Sequence, residues 1–113
     1  MRTIIAGGRT ITDYSLVLKA IKESSLNITT VISGGASGVD LLGERYAKEK
    51  HLALEVYKAE WKKYGASAGP IRNRKMAENA QQLIAIWDGK SIGTKNMIDI
   101  AKDLSLTVYV KMI

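Results

Sequence analysis

No cysteine occurs among the 113 residues. That excludes disulfides and thiolate chemistry and fits a cytoplasmic protein. Histidine is reduced to one residue, His51 beside Lys50, which argues against a His-based metal site and against Ser-His catalysis; it reads as a surface residue. No apolar run approaches the roughly 18 residues a membrane helix needs. The opening MRTIIAGGRT has too short an apolar stretch for a signal peptide. Repeats, linkers and low-complexity tracts are also missing. What is present is one domain, residues 1–113, large enough for a single core. Its 46% apolar and 25% charged residues are ordinary for a globular protein.

Acids are scarce in one place. Between Lys58 and Lys75 stand six basic residues (Lys58, Lys62, Lys63, Arg72, Arg74, Lys75) and one acid, Glu60, so this segment holds +5 of the chain's +6. Charge concentrated in this way points to an anionic partner, or serves as a solvated basic face.

Short apolar runs alternate with helical periodicity. Thr3–Ala6, Thr30–Ile32, Leu54–Tyr57, Leu83–Trp87 and Leu106–Val110 read as strands. Thr12 or Asp13 caps a helix with Leu16, Leu18, Ala20 and Ile21 on its buried face. A second helix starts near Asp40 and buries Leu41, Leu42, Tyr46 and Ala47. Residues 58–69 read as an irregular connection. The only proline, Pro70, opens a third helix that runs to about Ala80. Asp88–Gly93 is a polar loop, and Thr94–Leu104 a fourth helix bearing Met97, Ile98, Ile100, Ala101 and Leu104 on one side. About five strands alternating with four helices predict an α/β fold. It is a small, doubly wound, Rossmann-like parallel sheet with right-handed crossovers.

Ligands of such sheets bind beyond the carboxyl ends of the strands. The residues there are Gly7, Gly8 and Arg9 after the first strand, and Ser33, Gly34, Gly35, Ser37 and Gly38 after the second. Trp61 follows the third; Asp88, Lys90, Ser91, Gly93 and Thr94 follow the fourth. Glycines there let the backbone approach a ligand, and the next helix offers free N–H groups to an anion. The stretch VISGGASGVD fits that role or that of a tight turn; it is neither G-x-G-x-x-G nor a P-loop. Asp40 suits a ribose hydroxyl or base edge, or simply the first turn of a helix. The segment GPIRNRK brings Arg72, Asn73, Arg74 and Lys75 to a helix start, with positions 72 and 75 on one face. Trp61 and Tyr64 are candidates to stack on a base; Trp87 reads as core.

Four stretches, AGGRTITDY, VISGGASGVDLLGERYAKE, AEWKKYGASAGPIRNRKMAENA and AIWDGKSIGTKNMIDIA, resemble the YspA-type, cpYpsA-related branch of the SLOG superfamily. That superfamily unites the SMF/DprA and LOG-like proteins. The resemblance implies a Rossmann-like nucleotide site along these loops. LOG enzymes cleave the N-glycosidic bond of nucleoside monophosphates, and their catalytic arginine falls at Arg74. Their glutamate, however, falls at Met97, beside Asn96, and Gly89-Lys90-Ser91 replaces their P-G-G. Methionine supplies no general acid and no charge for an oxocarbenium ion. Within the branch, Ser37 stands for an arginine of SGGARG, and Ala66 for a basic residue after K-Y-G.

The sequence therefore predicts binding of a nucleotide or ADP-ribose-like derivative, without turnover. The protein would be a sensor or a sequestering module, the latter suiting a phage-encoded product. One alternative is a nucleoside 5′-monophosphate phosphoribohydrolase with Arg74 as its catalytic residue. Another is a single-stranded nucleic-acid binder using the basic segment, Trp61 and Tyr64. No metal, cofactor or membrane is expected, and the resemblance implies homodimers or tetramers.

Overall fold

The computed structural model describes residues 1–113. Five strands are formed: β1 (Arg2–Gly7), β2 (Thr30–Ser33), β3 (Ala53–Val56), β4 (Gln82–Trp87) and β5 (Thr107–Met112). They pair in the order β3-β2-β1-β4-β5, every pairing parallel. Four long helices connect them: α1 (Tyr14–Ser24), α2 (Val39–Glu49), α4 (Ala68–Glu78) and α5 (Ile92–Asp103). A single turn, α3 (Trp61–Tyr64), precedes α4. This is the doubly wound, Rossmann-like architecture that alternating strands and helices predict.

The central strands are apolar on both faces because helices cover both. Ile4, Ala6, Ile32, Leu83 and Ala85 face one way and meet Met76 and Ala77 of α4 and Met97, Ile98 and Ala101 of α5. Ile5, Val31, Ile84 and Ile86 face the other way, against Val17 and Ala20 of α1 and Val39 and Ala47 of α2. Each fully buried isoleucine or leucine contributes roughly 1.5–3 kcal/mol. The amino end of the sheet is tied by polar bonds. Gln82 Nε2 donates to Thr3 Oγ1 (2.7 Å) and the Asn27 carbonyl (2.9 Å), and Arg2 grips Glu55 through two bonds of 2.7 Å. No helix is long and apolar enough to cross a membrane.

Local chemistry explains the boundaries. Asp13 caps α1 by accepting from the Ser15 N–H (2.9 Å), and Ser25 ends it in the left-handed region. Three sequence expectations need correction. Leu18 (40% exposed) and Leu41 (52%) point outward, while Val17, Val39 and Gly43 face the sheet. A step of one residue turns a helix by about 100°, and small residues face the sheet so that the helix can lie close to it. Residues 58–69 are not irregular throughout. They contain α3, a 3₁₀ turn (Gly65–Ser67) and the start of α4, placing Pro70 third in that helix's first turn. Elements this short carry no periodicity to read.

Candidate functional site

The chain moves outward from β1 through β2 to β3, then returns to add β4 and β5 on the other side. The crevice between the loops after β1 and β4 is therefore the switch point, where doubly wound sheets take ligands. A cleft of about 270 Å³ lies there. Its rim is Gly7, Gly8, Arg9 and Thr10 after β1, Ala36 after β2, and Asp88 and Ser91 after β4. Its walls are Asp40 of α2, Arg72 and Asn73 of α4, and Gly93 and Thr94 of α5. Ala6, Met76 and Met97 supply the apolar lining.

The β2–α2 turn is locked against the β1 loop. The Val39 N–H donates to the Gly8 carbonyl (3.2 Å). Gly38, at φ +76°, leaves no room for a side chain, since a Cβ there would run into the Gly8 carbonyl oxygen. Gly34 is also a tight place: a Cβ would stand 2.6 Å from Arg72 Nη1 and 2.7 Å from Asp40 Oδ2. The Gly34 carbonyl accepts from Arg72 Nη1 at 2.7 Å, and Asn73 Oδ1 accepts from Arg72 Nε at 2.9 Å. Asn73 is itself buried, and its Nδ2 donates to Asn96 Oδ1 (2.9 Å) of α5. A chain of bonds thus runs from the glycine loop through Arg72 and Asn73 to α5, and it fixes the guanidinium in the cleft wall.

Charge is unevenly satisfied. Asp40 is only 7% exposed. Burial pushes its carboxyl up to about 6, against the pull of the Ala36 N–H (3.2 Å) and of Arg72. Arg72 is held below its ordinary value, by burial first and by the like charge of Arg9, although Asp40 opposes this. Asp88 is held below the usual carboxylate range because its Oδ1 accepts from the Ser91 and Lys90 N–H groups, both at 2.8 Å. The five salt bridges are Arg2–Glu55, Arg45–Glu49, Arg74–Glu78, Lys95–Asp99 and Lys111–Glu23. None includes Arg9, Lys58 or Arg72.

A second hollow of about 340 Å³ adjoins the cleft, and Arg9, Ala36 and Arg72 line both. It gathers Gly34, Gly35, Ser37, Lys58, Ala59 and Trp61. A third, of about 200 Å³, holds Lys75 with Tyr57, Lys58, Tyr64 and Arg72. Arg72 is common to all three.

Of the residues singled out in the sequence, Gly7, Gly8, Arg9, Asp40, Arg72, Asn73, Asp88, Ser91, Gly93 and Thr94 come together in the cleft. Gly34, Gly35, Ser37 and Trp61 meet in the hollow beside it. The others serve elsewhere. Ser33 is buried, its hydroxyl donating to Glu44 Oε2 (2.7 Å) and accepting from the Gly35 N–H (3.1 Å). Gly38 supports the turn. Arg74 is exposed, 4.0 Å from Glu78 and outside the cleft. Lys90 is exposed in the β4–α5 loop. Lys58, Met76 and Met97 also line these spaces, although the sequence did not point to them as site residues. Lys58 sits just beyond the end of β3, where the rule of strand ends would have found it; the methionines carry no polar signal.

Comparison with known proteins adds two likenesses. The chain is 28% identical over 116 residues to the Gene 61 protein of Mycobacterium phage D29, covering 95% of this chain and 93% of that one. Its fold matches the X-ray structure of DNA processing protein A (DprA) from Streptococcus pneumoniae with a TM-score of 0.72 at 15% identity. That match covers 96% of this chain but spans only 49% of the DprA chain. At that identity the likeness is one of fold. The model of the YspA, cpYpsA-related SLOG family matches residues 1–64, more than half of the chain, and the protein belongs to that family.

Proposed function

We propose that the cleft binds a nucleotide or a nucleotide-derived anion and holds it without turnover. A phosphate would lie on Arg9 and Arg72, and the sugar or base among Asp40, Asn73, Ser91 and Thr94. One observation carries this reading: Arg9 and Arg72 both line the cleft with no carboxylate within 4.0 Å, while five other cations pair with acids. Two like charges held together, one of them half-buried, are relieved by an anion. Guanidinium suits phosphate in particular, through paired N–H donors. Met97, only 1% exposed and lining the cleft, adds apolar surface and no acid.

A second reading, hydrolysis of an N-glycosidic bond, is favoured by one feature. Asp40 is a cleft carboxyl whose pKa is raised to about 6, in the range that suits a general acid or base.

One experiment addresses both. Thermal unfolding is followed with AMP, GMP, CMP, UMP and ADP-ribose, and the same mixtures are assayed for free base. A ligand at 100 times its Kd adds about 2.7 kcal/mol, a shift of several degrees. Arg72→Gln is expected to abolish the shift. A flat panel at millimolar concentration removes the binding reading. Base release that is lost in Asp40→Asn replaces it with hydrolysis.

A further inference from the structure

We propose that the ligand has two arms. One nucleoside would occupy the cleft, a diphosphate would cross the boundary formed by Arg9 and Arg72, and a second planar group would stack on Trp61 in the adjoining hollow. The proposal rests on the nucleotide reading of the cleft and names the ligand class: two nucleosides, or a nucleoside and another aromatic group, joined through a diphosphate.

The two hollows differ in chemistry. The cleft carries the carboxylates Asp40 and Asp88 with amide and hydroxyl groups beside them, which suits the hydroxyls of a sugar or the edge of a base. The adjoining hollow has no carboxylate; its charges are Arg9, Lys58 and Arg72, all cationic, and its one large flat surface is Trp61. Arg9 and Arg72 belong to both, so an anion bound on them sits between the two spaces. Lys58 adds a third cation on the Trp61 side, and it too has no carboxylate within 4.0 Å. Three cations lining one hollow, none with a carboxylate within 4.0 Å, exceed what a single phosphate requires.

Size points the same way. Small-molecule sites run from roughly 300 to 1,000 Å³. At about 270 and 340 Å³ each hollow alone lies at the lower limit, whereas the two joined fall well within the range.

Trp61 is placed as a platform. It opens the one-turn helix α3 and keeps 49% of its surface exposed, unusual for so costly an apolar group. One edge of the indole is braced on α4: a Cβ on Gly69 would lie 3.4 Å from it. The Arg9 guanidinium lies over the ring, 5.7 Å from its centroid. An exposed ring next to cations is the arrangement by which proteins hold a nucleobase while its phosphate is neutralised.

The test is calorimetric titration of the whole chain with AMP, ADP and diadenosine diphosphate, and with the guanine series, alongside a ten-residue single-stranded DNA. Stacking of one base on an aromatic side chain is worth about tenfold or more in affinity. The dinucleotide is therefore expected to bind at least tenfold tighter than ADP. In Trp61→Ala that ratio should collapse toward one, and Trp61→Tyr, which keeps a ring, should retain most of it. ADP binding as tightly as the dinucleotide overturns the second arm and leaves the cleft reading standing. So does a ratio unchanged in Trp61→Ala. No binding of any nucleotide removes both. Single-stranded DNA binding more than tenfold tighter than the dinucleotide overturns the proposal in favour of a polynucleotide ligand.

Discussion

Asp40 carries a carboxyl group that folding makes harder to ionise. Burial is the main cause, and it raises the pKa from 3.8 to about 6. Between those two values the folded carboxyl keeps its proton while the unfolded one releases it. Stability therefore falls as pH rises through this window and levels off above it. The full effect is about 3 kcal/mol, an order-of-magnitude value, from a shift of roughly two units at 1.36 kcal/mol each. Asp40→Asn keeps an acceptor for the Ala36 N–H and removes the charge. It is expected to be more stable than the parent at pH 7.5 by up to about 3 kcal/mol, with the gain gone at pH 3.5. Urea unfolding at the two pH values checks this, and equal stability at pH 7.5 would mean that water in the cleft already solvates the carboxylate. A neutral-pH cost retained beside Arg72 is what a site built for recognition, rather than for stability, would carry.

The turn between β2 and α2 separates two kinds of glycine. At Gly38 the backbone lies at φ +76° and ψ −130°, and the Gly8 carbonyl fills the space a side chain would take. Gly38→Ala is expected to cost about 2 kcal/mol or more, from a backbone conformation worth roughly 1–3 kcal/mol plus the clash. At Gly34 the obstacle is the flexible Arg72 side chain and the Asp40 carboxylate. Gly34→Ala should cost less stability and displace the guanidinium, so AMP affinity falls more than Tm does. Parallel melting and titration of the two variants check this, and the reverse order would sink the assignment. Much of this was legible in the sequence. Ile4-Ile5, Val31-Ile32 and Leu83–Ile86 are continuous apolar runs because both faces of the central strands are covered, and this identifies a parallel sheet. The loop glycines and Asp88 then follow from the rule of strand ends, and Arg72 from the basic segment GPIRNRK near a helix start. The inward faces of the helices were less legible: Leu18 and Leu41 read as buried, but the helix turn points Val17, Val39 and Gly43 at the sheet in their place. The outward turn of Arg74 was hidden as well, because one residue's step along α4 separates it from Asn73 in the cleft wall.

Across the molecule, the +5 of residues 58–75 is divided between the site and the solvent. Lys58, Arg72 and Lys75 line hollows, the two lysines while still exposed, whereas Lys62, Lys63 and Arg74 line none of the three described above. A ligand with one or two phosphates engages only the first group. Its affinity is expected to fall by less than tenfold between 50 and 200 mM salt, against about 10³–10⁵ for a protein making six to ten phosphate contacts on DNA. Titrations at the two salt concentrations decide between them, and a steep fall would point to a polynucleotide running along the whole basic face. The strand order has a further consequence, for the order of synthesis. Of the five strands, β1 is the first to be made and is the central strand of the finished sheet. One side of it gains β2 and then β3 from residues 30–56, while the other side stays bare until β4, residues 82–87, arrives. The cleft lies at that late seam, and its last walls, Thr94 and Met97, come later still. The half-made chain has the glycine loops but no pocket, so a ligand can act on its birth only at the final docking of the second half onto the first.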